Sequence, residues 1–403
     1  MQCYAASRPG RILHEATIGF PMNTQHHFLI PQASGTQRQL VSWHFGNPNA
    51  RPKVVIQSSL HADELPGMLV TLHLRRLLEE AEQTGNVVGE VVLIPVANPI
   101  GLDQTVLHSQ LGRFELATGQ NFNRHYPDFA HWLLEPEMEI WSQLTPDAET
   151  NTAIIRSAMH EALQCHSPTT ELDSLRHTLM RLALDADVVL DLHCDFEAAV
   201  HFYTEPPCVE TLRPLAARLR ASAMLVAEGS GGQCFDEALS GVWWKLRNEL
   251  QKTHGAEADQ RPIRQGCVSA TVELRGQTDV SHATAQPDSQ ALLHYLMDLG
   301  ALDQTPSAAP CMTFTPTPLS GSHIMKAPHP GVVAYHCTPG THLQAGDAVV
   351  DVWEPLSGRC TTLTAEAEGV LYARHVTRWA TTGLELAKIS GPTPIRSGPL
   401  LGA

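Results

Sequence analysis

The chain has 403 residues, 43% of them hydrophobic and 17% charged, so it can bury a large core and disorder is not expected. Its 27 basic and 42 acidic residues leave a net charge of −15 with His neutral, which argues against a nucleic-acid or anionic-membrane partner, since both need clustered positive surface. Any anionic substrate must then be held by a few local arginines.

In chain order, apolar runs bounded by turn residues alternate with helical patterns. Residues 54–59 read as a buried strand. A helix over 66–82 follows, with Met68, Leu69, Leu72, Leu77 and Leu78 on one side, Pro66 near its start and Gly85-Asn86 beyond its end. A strand over 91–96 leads into Asn98-Pro99-Ile100-Gly101, read as a turn shaping a pocket wall. Then come a helix over 172–184, strands over 188–193 and 200–203, a loop over 229–241 that lines a pocket or covers the core, a helix over 235–250, and a strand over 268–274. Trp243-Trp244 read as core aromatics. Continuous rather than alternating apolarity predicts strands buried on both faces of a parallel or mixed sheet, hence an α/β sandwich with helices on both sides.

The composition shifts near residue 303 to a connector rich in Pro, Thr and Ala, then to short strand-like runs with frequent Gly and Pro. The expected organisation is a hydrolase domain over 1–304, a linker over 305–320 and a small β-barrel-like domain over 321–403. In the last, Pro330-Gly331-Val332-Val333 and Glu368-Gly369-Val370-Leu371 form similar halves around Gly346-Asp347-Ala348-Val349-Val350, which resembles a biotinyl or lipoyl carrier barrel. The hairpin region over 354–360 has no lysine to carry a cofactor, so this part reads as structural, a lid or a homo-oligomer contact.

No segment approaches roughly 18 consecutive apolar residues, and the first 30 residues hold no apolar signal core, so a soluble chain that does not bind membranes is expected. Nine cysteines (Cys3, Cys165, Cys194, Cys208, Cys234, Cys267, Cys311, Cys337, Cys360) form no Cys-x-x-Cys pair, and their odd number speaks for a reducing, cytoplasmic setting.

The chemistry concentrates in Ser58-Ser59-Leu60-His61-Ala62-Asp63-Glu64, where a strand delivers His61 and Glu64 three residues apart just before a helix. A catalytic zinc takes three protein ligands and leaves a position for water. His193, at the end of the strand over 188–193 and 129 residues beyond Glu64, supplies the third. His254-Gly-Ala-Glu257 repeats the spacing, but in a polar segment with no strand before it, and reads as surface loop. Asp191 or Asp195 is the candidate to orient a ligand.

Metal-assisted hydrolysis also needs a base. Glu273 sits in the strongly strand-like run Val268-Ser-Ala-Thr-Val-Glu273-Leu-Arg-Gly276, where a buried carboxylate is costly unless paired or functional. It is the candidate general base, the rival being an ion pair with Arg275 or another arginine. Asn123-Arg124, in Gly119-Gln120-Asn121-Phe122-Asn123-Arg124, suits a bidentate grip on a substrate carboxylate, and Arg113 is the candidate to polarise the scissile carbonyl or hold a second anionic group. Glu228-Gly229-Ser230-Gly231-Gly232 reads as a flexible loop. No Gly-x-Ser-x-Gly or phosphate-binding glycine motif is present.

In this order, His61-x-x-Glu64, Asn123-Arg124, His193 and Glu273 resemble the succinylglutamate desuccinylase and aspartoacylase family, relatives of the zinc carboxypeptidases, over about residues 50–280. Ala62-Asp63 departs from the Gly-Asn or Gly-Asp more usual between the first two ligands. The resemblance implies a zinc-carboxypeptidase-like α/β fold, one Zn2+ on His61, Glu64 and His193, carboxylate recognition by Asn123-Arg124, Glu273 as base, and a C-terminal β domain. The expected activity is deacylation of a small N-acylated amino acid or similar carboxylate-bearing amide. The alternatives are a carboxypeptidase acting on short peptides and a non-catalytic binding protein with a vestigial site.

Overall fold

Nine strands form one twisted sheet in the computed structural model, which describes residues 23–402. Cys3 and most of the segment considered for a signal lie outside the described residues. From one edge, the strands are Thr24–Phe28, Gln39–Gly46, Glu90–Ile94, Lys53–Ser58, Val188–Asp195, Val268–Gly276, His201–Thr204, Ala223–Val226 and Thr317–Pro318. The four central strands run parallel, while the first two and the Val268–Gly276/His201–Thr204 pair are antiparallel, so the sheet is mixed as expected.

Strand alternation divides the apolar runs between two cores. Val55, Val92 and Val189 point to one face, packed by the helices Ala148–Cys165, Glu171–Ala183 and Phe235–His254. Val54, Ile56, Leu93, Leu190 and Val272 point to the other, covered by Pro66–Gln83, Val209–Arg218 and His282–Asp298. The expected α/β sandwich is present.

Three local readings need correction. The Pro66–Gln83 helix buries Val70, Leu74, Leu78 and Ala81, whereas Leu72 is exposed and Met68, Leu69 and Leu77 are only half-buried. Apolar residues lie around much of this helix, and the sheet beneath decides which stripe is covered. The stretch over 229–241 is not all loop, since the helix Phe235–His254 begins within it and carries the fully buried Trp243. His254 and Glu257 fall not in a loop but in the end of that helix and the 3-10 turn Gly255–Gln260, with His254 stacked on Trp141.

Within the stretch read as a connector, Thr317–Pro318 pairs in parallel with Ala223–Val226 and extends the large sheet. Beyond it lie two small sheets. One runs His323–Lys326, Glu385–Ile389, Gly369–Arg374, His342–Leu343, and the other Arg359–Thr364, Ala348–Glu354, Gly331–Tyr335, Trp379–Ala380. They enclose a core of Val333, Val349, Val350, Val352, Leu371, Leu386 and Ile389. Glu197–Ala198, directly after the Val188–Asp195 strand, pairs antiparallel with Gly369–Arg374 and ties these sheets to the end of the large one. Among the described residues, no helix is long and apolar enough to cross a membrane.

Candidate metal centre and its cavity

The strands Lys53–Ser58 and Val188–Asp195 are parallel neighbours with Ser58 opposite Leu192, so both chains leave the sheet side by side. Beyond Ser58 the backbone turns sharply at Ser59 (φ 60), whose hydroxyl donates to Glu64 O. Asn98, read as part of a pocket-wall turn, instead caps the short helix Pro99–Leu102 and donates through Nδ2 to Leu60 O, holding the turn that presents His61. Gly67 lets the next helix start flush against the strand ends, where a Cβ would stand 2.8 Å from Ser58 Cβ.

This brings His61, Glu64 and His193 together, all buried, with one ligand atom of each within 4.8 Å of the others. Glu64 Oε1 lies 3.0 Å from His61 Nδ1, and Glu64 Oε2 lies 2.7 Å from His193 Nδ1 and accepts from Cys194 N at 3.1 Å. The other ring nitrogens are held from behind. His61 Nε2 donates to Asn121 Oδ1 (2.9 Å), an oxygen that also accepts Asn123 N, and His193 Nε2 donates to Asp191 Oδ2 (2.9 Å). With Nε2 of each ring directed at these outer acceptors, both Nδ1 atoms converge on Glu64. Two imidazole nitrogens and a carboxylate oxygen, each braced by an outer partner, can hold a divalent metal ion. Of the two aspartates considered for orientation, Asp191 does it, while Asp195 pairs with Lys388 at 2.6 Å.

Burial, then the Arg113 guanidinium, lowers His61 to about 4, leaving it a neutral donor. Burial works against charge on Glu64 too, but His193 and His61 hold it well below the usual carboxylate range. Burial alone would depress His193, yet Asp191 and Glu64 keep it well above an ordinary histidine. A metal ion on the three side chains would displace that proton.

Glu273 is a register partner of His193 on the adjacent parallel strand. Arg275, its proposed rival partner, is engaged with Asp288 at 2.6 Å, so that ion pair does not form, and Glu273 Oε2 is buried with no hydrogen-bond partner. Burial first, then the Glu64 carboxylate, pushes Glu273 up to about 8. A cation at the three donors would draw it down again.

These groups line one cavity of about 270 Å³ together with Arg113, Asn123 and Arg124. Arg113 Nη1 lies 3.3 Å from His61 Nδ1 and 3.6 Å from Glu64 Oε1. The Asn123 side-chain oxygen accepts Phe235 N at 2.9 Å, so what it can offer a ligand is its amide NH2. Arg124 donates through Nη1 to Asn123 O (2.7 Å) and Cys234 Sγ (3.2 Å), and through Nη2 to Gly402 O. Gly232 makes room for it, since a Cβ there would come within 2.7 Å of Arg124 Cδ. Sequence reasoning missed Asn121, although it lies in the quoted Gly119 to Arg124 motif, and missed Lys388, Arg374 and His375, which reach the cavity from the C-terminal sheets. Nothing local in their sequence marks them.

Residues 50–147 match the Succinylglutamate desuccinylase/Aspartoacylase catalytic domain. The resemblance read from the sequence is borne out. The matched stretch contains His61, Glu64, Arg113, Asn123 and Arg124, whereas His193 and Glu273 lie beyond it. Two solved structures named for the succinylglutamate desuccinylase/aspartoacylase family are similar over nearly their whole length. That from Shewanella frigidimarina NCIMB 400 is 26% identical, with a TM-score of 0.77 over 92% of this chain and 97% of that one. That from Shewanella amazonensis SB2B is 27% identical, with a TM-score of 0.75 over 91% and 98%. A succinylglutamate desuccinylase/aspartoacylase from Rhodobacter sphaeroides, 16% identical with a TM-score of 0.61 over 92% and 96%, shares the fold. No curated protein matches the chain.

Proposed function

We propose that this chain is a zinc-dependent hydrolase of a small N-acylated amino acid or a similar amide bearing a free carboxylate. The observation that carries the reading is Glu273, a buried carboxylate with an unpartnered oxygen, standing beside a converged His61–Glu64–His193 donor set in a cavity that also holds Arg124. The donor set suits zinc because mixed nitrogen and carboxylate ligands are its usual partners. When bound there, zinc would polarise the amide carbonyl and acidify a water.

The chain's own groups do the rest. Arg124, its Nη1 held by Asn123 O and Cys234 Sγ, grips the substrate carboxylate through Nη2, aided by the Asn123 amide, and so fixes the scissile bond against the donor set. Arg113, beside Glu64, reaches the carbonyl oxygen and stabilises its developing charge. Glu273 takes the proton of the attacking water and returns it to the leaving amine, so that acid and amine depart without a net change in the enzyme. All eight described cysteines are free, which fits a cytoplasmic setting.

Cleavage of short peptides is the second reading. It is favoured by the peptide segment Leu401-Gly402, which lines the cavity and offers Gly402 O to Arg124 Nη2. Hydrolysis of N-acyl amino acids, assayed beside short peptides on a sample of measured metal content, tests both. The first reading predicts stoichiometric zinc and faster turnover of acyl amino acids. A zinc-loaded protein inert to every acyl amino acid would overturn it.

A further inference from the structure

Residues 395–402 run back across Ser320 and Ser230, and the last two, Leu401 and Gly402, line the cavity. Ile395 N and Arg396 N donate to Ser320 O at 2.9 and 3.0 Å, and Leu400 N donates to Ser230 O at 2.7 Å. Leu400 and Leu401 pack against Tyr203, Leu225, Leu319 and Tyr372. Pro399 seats against Gly231, where a Cβ would come within 3.0 Å of Pro399 Cα. At the end of this path Gly402 O accepts from Arg124 Nη2.

Arg124 therefore has one nitrogen tied to Asn123 O and Cys234 Sγ and the other to a backbone carbonyl of this segment. A substrate carboxylate needs the outward nitrogen. We propose that residues 397–402 are an internal competitor for the carboxylate subsite: seated, they occupy Arg124, and they must leave before substrate binds. The inference rests on Arg124 being the carboxylate anchor. A carbonyl is a weaker acceptor for guanidinium than a carboxylate, so substrate displaces it readily. The seat is also shallow, because Leu401 is only half-buried and Gly402 is exposed. Such a device makes affinity depend on the fraction of molecules with the segment lifted.

The test uses succinate as a carboxylate probe, titrated by calorimetry into the zinc-loaded full chain, a form lacking residues 397–403, and Leu401→Ser, which removes the apolar anchor without adding charge. If the segment is seated in about nine molecules of ten, both altered forms bind succinate roughly tenfold more tightly than the full chain. In the full chain, succinate should also accelerate tryptic cleavage after Arg396. Equal affinities in all three forms, with unchanged cleavage, would mean that the segment is a fixed wall, and would overturn the inference. Arg124→Ala, checked for an unchanged melting profile, separates this outcome from failure of the underlying reading. If Arg124→Ala weakens succinate binding while loss of the segment does nothing, only the internal competitor falls. If Arg124→Ala leaves binding unchanged, the carboxylate anchor falls and takes the competitor with it.

Discussion

Glu273 and His193 stand directly opposite one another on adjacent parallel strands. Because parallel register puts opposed side chains on the same face, the proposed base and a metal-ligand candidate are neighbours by backbone hydrogen bonding alone. They sit where both strands run out of core and into the cavity, next to Asp195 and Thr271.

Glu273→Gln keeps the shape and removes the basic oxygen. Turnover of an N-acyl amino acid should fall by roughly 10²- to 10⁴-fold with stoichiometric zinc retained. Metal analysis and steady-state kinetics on one sample check it, and unchanged turnover would remove Glu273 from the base role.

Asn121→Ala and Asp191→Ala should each weaken metal affinity by roughly 10- to 100-fold, since each frees the outer nitrogen of a ligand ring. Competition with a chelator reads the effect. His61→Ala should abolish stoichiometric binding, and a variant that still held zinc would count against the donor set.

At Gly232 (φ +101), any side chain is strained and a Cβ would press on Arg124 Cδ at 2.7 Å. Gly232→Ala should raise KM for a carboxylate-bearing amide about tenfold, or ~1.4 kcal/mol, with little change in kcat. An uncharged amide serves as the control and should be unaffected.

Lys388 neutralises the mostly buried Asp195 across the boundary between the large sheet and the C-terminal sheets. Lys388→Met leaves that carboxylate without its cation and should cost about 3 kcal/mol in denaturant unfolding. Adding Asp195→Asn should recover much of the loss, and additive losses would refute the coupling.

His201 is fully buried, with Nδ1 bonded to Ala199 O, and burial lowers it from 6.5 to about 4. The unfolded chain takes up its proton near pH 6.5, whereas the folded chain resists until about pH 4, so stability is full above this window and lost as pH falls through it. This residue should make the protein roughly 2 kcal/mol less stable at pH 5 than at pH 7. His201→Gln should flatten the dependence measured by urea unfolding, and an equally steep profile in the variant would rule out this source.

Much of this molecule is local and therefore legible in the chain. The runs beginning at Val54, Val91 and Val188 open with three or four consecutive β-branched or aliphatic residues, and Val268 to Leu274 is rich in them, a pattern that a doubly covered sheet buries. A strand ending in His61-x-x-Glu64 before Pro66 places two donors at a strand-to-helix turn whatever lies around them. What the tertiary structure decided is pairing. Strand order set Glu273 beside His193, and Asp288 took Arg275 and so left Glu273 without that cation. The stripe of the Pro66–Gln83 helix that is covered, the closing of the cavity by Lys388 and Arg374, and the seating of Gly402 on Arg124 all join residues far apart in sequence. Periodicity fixes which face a residue occupies on its own element, but only packing against a distant element chooses its partner.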